Sequence, residues 1–129
     1  MNIVHGHQAD VTTVPRSDVF TGEVQMNTVL PSTEGVMIGS VLFPPGARTN
    51  WHTHERGQIL HVLAGRGQVY DREGTGSPIG PGDVVFISPG EEHWHGAQPD
   101  SYMVHLAISL GEAVWLDPVA DDDYARGSA

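Results

Sequence analysis

The chain has no cysteine among its 129 residues. Disulfides and thiolate nucleophiles are excluded together, so any chemistry must come from other side chains. Positive charge is also scarce. Six Lys and Arg stand against sixteen Asp and Glu, a formal net charge of −10. Much of the acid falls in Glu112, Asp117, Asp121, Asp122 and Asp123, a solvated C-terminal run. A protein that tracks a nucleic-acid backbone needs a positive surface, and none of any size can be assembled here. The same balance disfavours anionic membranes and polyanionic substrates, and favours a small neutral or weakly polar molecule. Long apolar runs are missing, so no segment is expected to span a bilayer. The opening MNIVHGHQADVTTV lacks the basic stretch and apolar core of a secretory signal, which makes the cytoplasm the default expectation. Nicotinamide and flavin motifs are absent, and the GRG of 65–67 reads as a tight turn because no βαβ pattern surrounds it.

What the chain does have is 39% hydrophobic residues, with sixteen Gly and nine Pro. Short alternating apolar runs punctuated by these turn residues predict strands at 24–30, 36–43, 50–54, 58–65, 67–71, 84–87, 93–97 and 103–109. Eight strands without an intervening helical period predict an all-β sandwich or small barrel, in a single domain over residues 1–129. The tail from 110 is less regular, and Trp115, Leu116 and Tyr124 are expected to pack a short turn or helix onto the barrel or a partner. Residues 57–69 are apolar on both faces, which calls for cover on both sides. A second subunit is the expected outer cover, hence a homodimer.

Histidine carries the functional signal. His52 and His54 are two apart on one predicted strand, as are His93 and His95 on another, so each pair points to one side. Gln58 begins the face that continues with Leu60 and Val62, and His105 lies on a third strand with Met103 and Ala107. A single histidine inside a β core is ordinarily a hydrogen-bonded core residue. Five on three strands, all aimed inward, are costly to bury without strong partners, and a bound metal removes that cost. Trp94 should face away from its neighbours, as core or interface. Trp51 and Phe20 are expected at the rim, while Arg48 and Arg56, beside turns, are expected in solvent.

The spacing Gly46-x5-His52-x-His54-x3-Gln58-x6-Gly65 resembles the first motif of the cupins, with Gln58 where Glu is typical. Gly82-x5-Ser88-x-Gly90-x2-His93 resembles the second, with Ser88 in place of the usual Pro and Ala97 where many members carry Asn. The likeness covers about residues 36–108 and implies a double-stranded β-helix, or jelly-roll barrel. GARTNWHTH (46–54), PGDVVF (81–86), HWHGA (93–97), FTGEV (20–24) and YMVHLAI (102–108) narrow it. Together they are similar to small single-domain bacterial cupins of the carboxymuconolactone-decarboxylase-like group, and among those to the cupin hydroxynitrile lyases.

The resemblance implies metal ligands at His52, His54, Gln58 and His93, and active-site neighbours at His95 and His105. It implies manganese as the usual metal, with iron, zinc or nickel in other members. Imidazole and amide donors by themselves suit Mn, Fe, Ni, Co or Zn without choosing. An amide ligand is neutral, so the ion would keep its full charge and act as a stronger Lewis acid, though held less tightly. Gln58 could instead sit behind a ligand histidine, hydrogen-bonded to it. His95 and His105 are the candidate proton carriers, or structural hydrogen-bonding residues. The implied reaction is cleavage or formation of a cyanohydrin. A metal-dependent dioxygenase acting on a catechol or dicarbonyl compound, an isomerase or decarboxylase, and a non-enzymatic ligand-binding module are the alternatives. Met37, Val41, Leu60, Val62 and Ala107 are expected to form the apolar wall of the pocket.

Overall fold

The computed structural model describes residues 1–5, 14–16 and 18–128. Among these are thirteen strands and one helix. In chain order they are β1 (Val14–Arg16), β2 (Phe20–Thr21), β3 (Val24–Thr33), β4 (Val36–Phe43), β5 (Arg48–Thr49), β6 (His52–His54) and β7 (Gln58–Gly65). These are followed by β8 (Gly67–Asp71), β9 (Gly76–Ile79), β10 (Val84–Ile87), β11 (His93–Ala97), β12 (Met103–Leu110), β13 (Ala113–Trp115) and α1 (Asp121–Ser128). One sheet runs β1-β3-β4-β12-β7-β10; the other runs β13-β6-β11-β5-β2, with β8 on the far side of β11 and β9 beyond it. The described pairings are antiparallel. This is a mostly β jelly roll of the double-stranded β-helix type.

Alternation along the strands builds the interior. In β12 every second residue from Met103 to Ser109 is buried, and β7 repeats the pattern from Gln58 to Val62. Val41, Phe43, Leu60, Val62, Met103 and Ala107 from the first sheet meet Val69 and Ala97 from the second. The β3–β4 hairpin turns on Glu34 and Gly35, both at positive φ, the two-residue geometry that matches strand twist. At the other end of β7, Gly65 also has positive φ, and a Cβ there would run into the Tyr102 carbonyl. That close approach is a reason for glycine at the β7–β8 corner.

Several expectations need correcting. The strand expected at 50–54 starts only at His52, as β6, because Asn50 and Trp51 lie off the ladder between β5 and β6. Five short strands, β1, β2, β5, β9 and β13, are additional to those expected. In β9, Pro78 sits on a strand paired on one side only, where its missing N–H costs nothing. Arg48 is not in solvent but 6% exposed. Its guanidinium donates to the Val119 carbonyl at 2.8 Å, pairs with Asp121 at 2.7 Å and lies over the Tyr124 ring. Trp51 is not at the rim either. It is buried on the outer side of the second sheet with Trp94, Val119 and Tyr124, and Arg72 lies over its ring. Tyr124 completes this outer cluster by donating its hydroxyl to Ala97 O at 2.7 Å, so the tail with α1 packs back onto the barrel as expected. Arg56 is exposed, as expected.

Candidate metal centre

β6 and β11 lie side by side, and the register sets His93 opposite His52. Because both strands carry histidines at every second position, four imidazoles collect on one inner surface: His52, His54, His93 and His95 are all buried. The His52 and His93 ring centroids are 4.2 Å apart, with His54 and His95 at 5.0 and 5.2 Å from His52. Gln58, the first residue of β7, reaches the group from the opposing sheet, its side-chain oxygen 3.1 Å from His93 Nε2.

Backbone carbonyls fix two of the rings. His52 Nδ1 lies 2.9 Å from Asn50 O, and His93 Nδ1 lies 2.9 Å from Glu91 O. A carbonyl only accepts, so Nδ1 carries the proton in both rings and Nε2 is left with a lone pair. Gln58 Nε2 in turn donates to Ser109 Oγ at 3.2 Å, which leaves Oε1 facing His93. Two lone-pair atoms thus confront each other at 3.1 Å. That arrangement is repulsive for a neutral pair and natural for two ligands of one cation. His52 Nε2, both ring nitrogens of His54, and His95 Nε2 are buried with no hydrogen-bond partner. Each such orphan costs on the order of 1–3 kcal/mol, and a group of them facing one point fits a bound cation. The nitrogens of His52, His93 and His95 lie within 4.8 Å of one another. A histidine site capable of holding a divalent metal is therefore present.

The rings are held in the neutral form a ligand needs. Burial pushes His52 well below its usual value, and the adjacent His93 and His54 push the same way, opposed by the Asn50 carbonyl and the nearby Gln58 side chain. Burial, then His93, brings His54 to about 4, with Gln58 opposing. His93 is also lowered, by burial, against hydrogen bonding and charge at Glu91. His95, fully enclosed, is pushed far down by burial and then by His105 and its other histidine neighbours. Burial takes His105 to about 4.

His95 and His105 form a second pair behind the first. His105 Nε2 lies 3.0 Å from His95 Nδ1, and Phe43 presents its ring to both. The His95 backbone N–H donates to Thr49 Oγ1 at 3.2 Å. Only His95 of the two reaches the cavity, a space of about 420 Å³ also lined by His52, His54 and Gln58. Met37, Val41 and Ala107 form part of its apolar wall as expected; Leu60 and Val62 do not, being in the core behind it. Phe20 is at the rim as expected. Trp115 joins it, unforeseen, its indole stacked on His52 at 4.4 Å. Ser109 is a further residue that the motifs do not mark, although its parity with His105 and Ala107 on β12 aims it inward.

The Cupin domain family model matches residues 39–109. An (R)-mandelonitrile lyase from Granulicella tundricola is 47% identical over 116 residues, covering 85% of this chain and 88% of that protein. The crystal structure of a cupin-like protein from Thermotoga maritima aligns with a TM-score of 0.84 at 39% identity, covering 88% of this chain and 90% of that one. An oxalate-binding protein, also from Thermotoga maritima, is 38% identical over 78 residues, or 56% of this chain and 63% of that protein. With the jelly roll, both histidine motifs and these matches in agreement, the chain belongs to the cupin family.

Proposed function

We propose that the protein is a metal-dependent lyase that cleaves and forms cyanohydrins. The observation that carries this reading is the set of buried, unpartnered imidazole nitrogens facing an apolar cavity. The 47% identity to a mandelonitrile lyase supplies the reaction class.

The proposed ligands are His52, His54, Gln58 and His93. His95, whose ring lies with those of His52 and His93, is near enough to compete for the ion; His54 is preferred because neither of its ring nitrogens has a partner. The ion is taken to be manganese, with iron, zinc, nickel or cobalt compatible with the same donors. When bound, it supplies positive charge that acidifies a substrate hydroxyl and stabilises the developing oxyanion. His95 Nε2, at the cavity wall, takes the hydroxyl proton. As the carbon–carbon bond breaks, its electron pair leaves with cyanide and an aldehyde or ketone remains. His95 then returns the proton to cyanide. His105 Nε2 holds the other face of the His95 ring, fixing its orientation. The apolar wall of Met37, Val41 and Ala107 offers no positive group to a carboxylate, which supports a small neutral or weakly polar substrate.

We further take the chain to work as one cupin domain, in the cytoplasm, away from nucleic acid and membranes; among the described residues no helix is long and apolar enough to cross a bilayer. A homodimer is supported by the outer face of the first sheet, where Leu63, Val84 and Phe86 stand exposed on neighbouring strands.

The test is benzaldehyde release from mandelonitrile by metal-loaded protein. His54→Ala should lose the metal. His95→Ala should keep it and lose about 10²- to 10⁴-fold in kcat. Oxygen uptake with a catechol, without benzaldehyde release, would instead select the dioxygenase reading.

A further inference from the structure

We propose that Ser109 is the positioning residue that makes Gln58 a metal ligand rather than a hydrogen-bond donor to the histidines. The inference rests on the reading of Gln58 as a ligand.

Gln58 and Ser109 are direct cross-strand partners on β7 and β12, and both are buried. An amide has two unlike ends. If Oε1 faces a cation, the two N–H groups must point the other way, into the protein, and at 3% exposure they cannot turn to water. Ser109 Oγ, 3.2 Å from Gln58 Nε2, is the acceptor that waits there. Without it, the acceptors left within reach of the amide are the lone pairs on the imidazoles. His93 Nε2 is already 3.1 Å from the near end of the amide. A flipped Gln58 would donate its hydrogens to that nitrogen and compete with an ion for it. The Ser109 hydroxyl oxygen accepts from the amide N–H only when Oε1 is turned toward the imidazoles, which is the ligating orientation.

This dependence is peculiar to an amide. A carboxylate at position 58 has no N–H to satisfy and two equivalent oxygens, so it could ligate without a neighbour to orient it. The Ser109 hydroxyl thus belongs with the Gln that replaces the usual Glu of the motif.

The experiment is direct titration of the metal-free full chain with Mn2+, Fe2+, Co2+, Ni2+ and Zn2+, using calorimetry and, for Mn2+, the electron paramagnetic resonance of the free ion. The ion that binds the parent chain most tightly is carried through the variants. Ser109→Ala should weaken its affinity roughly tenfold, the cost of leaving one buried N–H unsatisfied. Ser109→Thr, which keeps the acceptor, should stay within about threefold of the parent. In a Gln58→Glu background, adding Ser109→Ala should cause no weakening. Unfolding midpoints of the metal-free variants control for damage to the barrel. Unchanged affinity in Ser109→Ala, or an equal loss in the Gln58→Glu background, overturns the proposal. Gln58→Ala separates this failure from the deeper one. If that variant binds as tightly as the parent, or if the parent binds none of the ions, Gln58 is not a ligand and both readings fall together.

Discussion

β11 carries two clusters back to back. Its inward residues, His93 and His95, enter a group of polar rings in which half the nitrogens are without partners. Its outward residue, Trp94, enters a cluster whose principal polar groups are served: Tyr124 by Ala97 O, and the Arg48 Nη2 by Val119 O and Asp121, with the guanidinium over the Tyr124 ring and only its Nε left over. The two sides are one side chain apart and equally buried. Burial therefore does not explain the unmet polar groups on the inner side. The outer cluster is arranged for stability, while the inner one tolerates cost so that lone pairs face one point, as a binding site does.

That contrast can be broken from either side. The largest effect is expected from Trp94→Ala, which should cost about 3–5 kcal/mol in chemical denaturation while leaving the metal stoichiometry of the folded fraction unchanged. Loss of metal at full folding would mean that the two clusters are not separable. A smaller effect is expected from pH. Buried neutral histidines bind protons in the unfolded chain before they do in the folded one. The stability contributed by His54 and His105, each brought to about 4 from 6.5, is therefore present above 6.5 and lost as pH falls toward 4. For each ring this is about 3 kcal/mol, read from urea melts of metal-free protein between pH 7 and 4. A flat profile would mean that the rings are hydrated or paired in solution. The smallest effect is expected outside. Asp121→Asn should cost less than about 1 kcal/mol in a thermal melt, because Asp121 is almost fully exposed and Arg48 keeps the Val119 carbonyl and Tyr124. A larger loss would place the ion pair, not the carbonyl, at the centre of that anchor.

The inner cluster is far more legible in the sequence than the outer one, for a physical reason. A two-residue spacing on a strand is a local signal, and by itself it sets His52 with His54 on one face and His93 with His95 on another. Turn chemistry locates most strands in the same local way. Arg48 offers no such signal. The two partners of its Nη2 lie more than seventy residues away, one of them a backbone carbonyl that has no letter in the sequence. Alternation misplaces Trp51 because the chain leaves the ladder at Asn50 and the simple period stops there. Parity brings Leu60 and Val62 to the correct face but does not say how deep the cavity reaches. β13 is three exposed residues long, too short to show a period, yet it places Trp115 over His52.

The donors come from parts of the chain that are far apart in sequence. Gln58 is 35 residues from His93 and 51 from Ser109. Until β11 closes on β6 and β7, a growing or refolding chain offers only an isolated pair of histidines. Folds dominated by such distant pairings form slowly, on the millisecond-to-second scale. Capture of an ion is then an event at the end of folding rather than its nucleus, and the rate of metal uptake by refolding protein becomes a clock for closure of the two sheets.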